Sequence, residues 1–171
     1  MVRQAYSQGD LDGFCGIYAT VNAIRLIDRR MRGDKSVVLF RRLLRCLEKR
    51  STLSYIATGG LSLRDLEYIL NKVVIPHYGI TVTRPFCRLR MPSTKYFLGE
   101  VSAYLKEYPR RAVICSIDGH WSVLKRVTEK QVHFFDSTSI KKVYREKCSI
   151  TRVSSRKPYF FDKKEVFFLE R

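Results

Sequence analysis

The sequence predicts an α+β fold in a single domain spanning residues 1–171, mainly helical to about residue 110 and a β-sheet lobe over 111–171. Three observations carry this. Apolar residues in the first half recur at helical spacing, whereas those after Arg111 fall into short, compact apolar runs separated by tight turns. The two textures are segregated along the chain, which argues for α+β and against alternating βαβ units. The length suffices to bury a core without disulfides or metal, and hydrophobic residues make up 45%, too many for a disordered chain.

The elements follow in order. The stretch from Gln8 to Ile24 brings a glycine-rich polar approach to Cys15 at the mouth of an apolar run. Ile17, Val21, Ile24 and Leu26–Ile27 predict a helix to about Asp28, with Arg25, Arg29, Arg30 and Arg32 near its C-terminal end, where cations complement the helix dipole. Gly33-Asp34 interrupts the pattern. A second helix is expected from Ser36 to about Lys49, burying Val38, Leu39, Leu43, Leu44 and Leu47, with Cys46 beside that stripe as a core residue. Thr58 to Ser62 reads as a loop, and Ser62 as the N-cap of a helix from Leu63 to about Val73. His77, between Pro76 and Gly79, reads as a solvated connection residue. Ile80 to Phe86 alternates like a short strand, and Tyr96 to Tyr108 is bounded as a helix by Pro92 and Pro109.

Beyond that lie strands at Ala112–Ile117, His120–Val127 and Gln131–Ser137, the first two joined by the tight Asp118-Gly119 corner. Two more are expected around Val143 and at Val166–Leu169. The expected arrangement is an antiparallel meander. There is no internal repeat and no low-complexity linker.

Bulk properties narrow the function. The formal charge of +17 suits an acidic partner, whether an acidic protein, nucleic acid or an anionic surface, or simply solubility. The cations are spread over the chain, and no nucleic-acid-reading motif, zinc finger or P-loop is present, so nucleic acid is the less favoured partner. The five cysteines are odd in number and scattered, arguing against a disulfide framework or structural zinc; no metal or other cofactor is expected. No run spans a bilayer and the N-terminus lacks a signal-peptide core, so the expected location is the cytoplasm of the producing cell, with signal-independent export as an alternative.

The chemistry rests on three residues. A helix N-terminus favours the thiolate of a cysteine placed there, although a lone cysteine at a helix start is more often simply buried. Gly13 and Gly16 are expected to leave room for a substrate backbone. His120 follows a tight turn at the start of a strand, a rigid mount for a general base. Asp136 ends the next strand, level with His120 in an antiparallel hairpin, where a carboxylate fixes the imidazole tautomer and stabilises its charged form. Alone, His120 reads as a turn residue and Asp136 as a cap. The ordered set reads as a Cys15–His120–Asp136 triad.

These residues, Gln8…Cys15-Gly16 before a helix, Gly119-His120-Trp121 and Phe135-Asp136-Ser137, resemble the papain-like cysteine peptidases, the broad superfamily that includes bacteriocin-leader-processing peptidases. The resemblance implies a nucleophile-helix lobe and a β-sheet lobe with the site between them. It also implies an oxyanion hole formed by a glutamine side chain and the Cys15 N–H, with Gln8 as candidate. In the family the glutamine usually lies six residues before the cysteine; here it lies seven before. Asp10 and Asp12 read as loop-formers, and Asn22 is given no catalytic role. The expected activity is peptide or isopeptide cleavage through an acyl-enzyme on a protein or peptide substrate, in an effector, toxin or processing peptidase. The same triad also serves acyl transfer, transglutamination and side-chain deamidation, and a basic nucleic-acid-binding module without catalysis is the alternative from another class.

Overall fold

Helix α1 (Cys15–Ile27) lies across the middle of an antiparallel sheet and is the element around which both the core and the candidate site are built. The computed structural model describes residues 4–9 and 12–171. Ile17, Val21, Ile24 and Ile27 of α1 are buried, as their spacing predicts, and pack on the sheet and on α2 (Asp34–Leu47). Each such side chain contributes about 1.5–3 kcal/mol by leaving water.

Two short helices, α3 (Leu53–Gly59) and α4 (Leu63–Ile69), follow, with Thr52 and Ser62 as side-chain N-caps. Helix α3 was not expected, because its seven residues are too few to display helical periodicity. Nor does the next helix stop near Val73. It passes through a π turn at Leu70–Val74 into α5 (Ile75–Tyr78) and ends at Gly79, in the left-handed conformation. Pro76, which has no N–H to give the helical ladder, sits just after the π turn, where the Ile75 N–H donates to the Leu70 carbonyl. His77 therefore belongs to a helix end, not to a connection.

The strands are β1 (Thr81–Thr83), β2 (Arg111–Ile117), β3 (His120–Val127), β4 (Gln131–Phe134), β5 (Lys142–Tyr144), β6 (Cys148–Ser149) and β7 (Tyr159–Glu170), with α6 (Thr94–Glu107) between β1 and β2. Strands β2 to β5 form the expected meander, but the sheet order is β1-β7-β2-β3-β4-β5. The long β7 returns to lie between β1 and β2, and β6 pairs with it in parallel. The physical sign is the run Val166-Phe167-Phe168-Leu169, buried at every position and so covered on both faces. Helices α1 to α5 pack on one face around Trp121, Val123 and Phe167. Helix α6 covers the other, over Val113, Leu124 and Phe161. Two segments from before residue 111, β1 and α6, thus belong with the sheet. No helix among the described residues is long and apolar enough to cross a membrane.

Candidate active site

The turn between β2 and β3 sets the site. Asp118 (φ 53°) and Gly119 (φ 78°) both take the left-handed conformation that a two-residue hairpin with right-handed strand twist requires. Residue 160 anchors that turn: the Asp118 N–H donates to the Phe160 carbonyl at 2.9 Å and Asp118 Oδ1 accepts from the Phe160 N–H at 2.8 Å. His120, paired with Ile117, is then the first residue of β3.

The neighbouring strand brings up the carboxylate. The register of β4 on β3 shifts between Leu124 and Arg126, and beyond Phe134 the ladder gives way to a single bond from the Phe135 N–H to the Val123 carbonyl. Asp136 lies just past this break, and its Oδ2 stands 3.0 Å from His120 Nε2. The carboxylate is 1% exposed, and its Oδ1 also accepts from the backbone N–H of Thr138 at 2.7 Å and from the Thr138 hydroxyl. Burial raises the pKa of such a group, but the hydrogen bonds from His120 and Thr138 more than offset it, lowering it to about 2. An ionised carboxylate has no proton to give, so His120 Nε2–H is the donor, leaving Nδ1 as the free ring nitrogen.

His120 responds in the opposite sense. Burial lowers its pKa, yet the Asp136 hydrogen bond, then the Cys15 side chain and the charges of both residues, raise it to about 9. His120 is thus hydrogen-bonded to Asp136, and the Cys15 side chain also favours its charged form. The other four cysteines are also free thiols. Burial pushes Cys115 and Cys46 upward and Cys148 to about 12, with Asp136 adding to the shift at Cys115.

Cys15 is the first helical residue of α1, after Phe14, which supplies no side-chain cap. The Cys15 N–H has no partner among the described residues, as befits an orphan donor in a first turn. The glycines around it have a different role from the expected one. A Cβ on Gly13 would lie 2.8 Å from the Gly60 nitrogen and the Ile56 carbonyl, and one on Gly16 would lie 3.1 Å from the Leu61 side chain and 3.2 Å from Trp121. These spaces are filled by the protein itself, not kept open for substrate. Trp121 completes the seam by donating its indole N–H to the Leu61 carbonyl at 2.8 Å.

Gln8 is held beside Asp136. Its backbone N–H donates to the Ser137 carbonyl at 3.0 Å, its Oε1 accepts from the Ser137 hydroxyl at 3.1 Å, and its Nε2 donates to the Asp12 carbonyl at 3.1 Å. One N–H of the carboxamide is thus committed and the second has no partner among the described residues. Asp12 is the loop-former expected: its carboxylate accepts from the N–H groups of Gly9 and Phe14. Asp10 lies outside the described residues.

Asn22, for which the sequence suggests no catalytic role, has a structural one. Fully buried on α1, it accepts from the Tyr6 N–H at 2.9 Å and donates to the Tyr6 carbonyl at 3.0 Å, clamping the extended segment that carries Gln8. Its signal was legible: a lone amide within Val21-Asn22-Ala23-Ile24, on a face that is otherwise apolar. Among the described residues, no group of three or more histidine, cysteine or acidic side chains is arranged to hold a metal ion. Compared with protein-family models, curated proteins and solved structures, the chain matches none.

Proposed function

We propose that the protein is a cysteine-dependent hydrolase of the papain-like kind, cleaving peptide or isopeptide bonds through Cys15, His120 and Asp136. The observation that carries this reading is His120, shared between a buried carboxylate on Nε2 and the cysteine at the start of α1. With its pKa raised to about 9, the imidazole holds its proton at neutral pH, and the proposed attack is by the Cys15 sulfur as the thiolate partner of that imidazolium.

The sulfur attacks the carbonyl carbon, forming a C–S bond while the carbonyl oxygen takes the negative charge. The Cys15 N–H and the second N–H of the Gln8 amide are the donors proposed for that oxygen. Collapse of the intermediate breaks the C–N bond as His120 gives its proton to the leaving amine. His120, now neutral, takes a proton from water, which attacks the thioester and returns the sulfur as thiolate. Asp136 stays ionised throughout and keeps the ring oriented.

Product mass tests the reading. Incubation with a peptide library should release fragments differing by whole residues, lost in Cys15→Ala. A gain of one dalton on an intact peptide, or the added mass of an acyl acceptor, would replace hydrolysis by deamidation or transfer on the same triad. The proposed substrate is a protein or peptide, with an acidic surface suited to the +17 chain.

A further inference from the structure

We propose that the cavity at the C-terminal end of α1 binds a small polyphosphate of the size of a nucleoside di- or triphosphate. The cavity has a volume of about 600 Å³, within the usual range for small-molecule sites. Three remote segments build it: residues 26–30 at the end of α1, Pro109-Arg110 before β2, and Arg171 after β7. The Arg171 N–H donates to the Arg110 carbonyl at 3.3 Å, which fixes the last two segments against each other.

Four arginines, Arg29, Arg30, Arg110 and Arg171, face this volume together with a single carboxylate, Asp28. Asp28 accepts from Arg30 Nη2 at 3.2 Å and from Arg171 Nη1 at 2.7 Å. Those bonds, chiefly from Arg30, hold its pKa down to about 2, so its charge is already engaged. Arg29 and Arg110 have no side-chain partner among the described residues. The dipole of α1 accounts for cations just past its end, Arg29 and Arg30. It does not account for two more delivered by other chain segments to the same concavity. Uncompensated guanidinium groups held around a hollow repel one another, and a multiply charged anion relieves that repulsion.

Guanidinium forks match phosphate oxygens in bidentate pairs, and four of them exceed what a single phosphate engages. Leu26, Ile27 and Pro109 supply an apolar wall for a non-phosphate portion of the ligand. The enclosure by three segments favours a compact ligand over a nucleic-acid strand. The thirteen residues of α1 set the cavity roughly 20 Å from Cys15, so the inference stands apart from the catalytic reading.

The test is calorimetric titration of the full chain with sodium pyrophosphate and with ATP at ~150 mM salt. Saturable binding at one site per chain is expected. The double variant Arg29→Gln/Arg110→Gln should weaken both ligands by about tenfold or more, whereas Arg152→Gln/Arg156→Gln, the same charge change on an exposed loop, should stay within about twofold. The variant Arg29→Lys/Arg110→Lys, which keeps the charge but loses the forks, should fall between them, and its melting temperature reports on folding. Absence of saturable binding by either probe would overturn the proposal. So would equal losses in the two glutamine variants, or tighter binding of a single-stranded RNA that both variants weaken alike.

Discussion

The two ends of α1 treat charge in opposite ways. At the N-terminal end, a carboxylate that is 1% exposed accepts from a histidine, a backbone N–H and a hydroxyl. At the C-terminal end, one carboxylate binds two of four arginines, and the other two have no acidic partner among the described residues. The difference is one of solvent. A buried charge persists only when its donors are supplied in place, whereas cations at an open cavity are kept by water. Substitutions at the N-terminal end should therefore cost function and stability together, and those at the C-terminal end should cost little but ligand binding.

The largest expected effect is at the sulfur. Cys15→Ala should lower turnover by about 10⁴-fold or more while leaving the circular dichroism spectrum unchanged. Alkylation sharpens this. Cys15 is buried and Cys87 exposed, so exposure alone predicts faster labelling of Cys87. Faster iodoacetamide labelling of Cys15 at pH 6, read by peptide mapping, would show activation; preferential labelling of Cys87 would break the catalytic reading.

Asp136→Asn comes next, with turnover falling about 10²- to 10⁴-fold as His120 loses the negative charge that fixes its tautomer and supports its protonated form. The pH dependence has a definite sign. His120, raised to about 9, contributes stability that is complete below its ordinary value of 6.5 and is lost as pH climbs through about 9. Asp136, lowered to about 2, contributes stability present above the ordinary carboxylate value and lost as pH falls through about 2. The parent should thus show an alkaline limb of activity near pH 9 that moves downward in Asp136→Asn, and the parent should lose more stability than the variant between pH 7 and pH 10.

Asn22→Ala should cost about 1–3 kcal/mol in chemical denaturation, because it removes a fully buried side chain and leaves two partly buried backbone groups of Tyr6 without their partner. It should also lower kcat more than it raises KM, since the clamped segment carries Gln8. Trp121→Phe removes the indole bond to Leu61 and should cost about 1 kcal/mol or somewhat more. The smallest effect belongs to the far end of α1. Asp28→Asn should change stability by less than about 1 kcal/mol, its arginine partners being substantially exposed.

Periodicity made α1 and α2 legible to within two residues, because each buries a stripe that recurs every turn. Helix α3 and the π turn before Pro76 carried no such signal, the first being too short and the second a local rearrangement that leaves hydropathy unchanged. In the same way Cys15, His120 and Asp136 stood out by residue type and position, whereas Ser137 and Thr138 act through contacts with Gln8 and Asp136 that a sequence does not reveal.

By itself the sequence determined the predominance of helices before residue 111 and of strands after it, the turn at Asp118-Gly119 that starts β3 at His120, and the cysteine at the mouth of α1. Those follow from local sterics and local hydropathy. Only the tertiary structure decided that β7 lies between β1 and β2, that Gly13 and Gly16 are filled by the Ile56–Leu61 segment and Trp121, and that arginines from three segments surround one cavity. These depend on contacts between residues far apart in the chain, which packing alone selects.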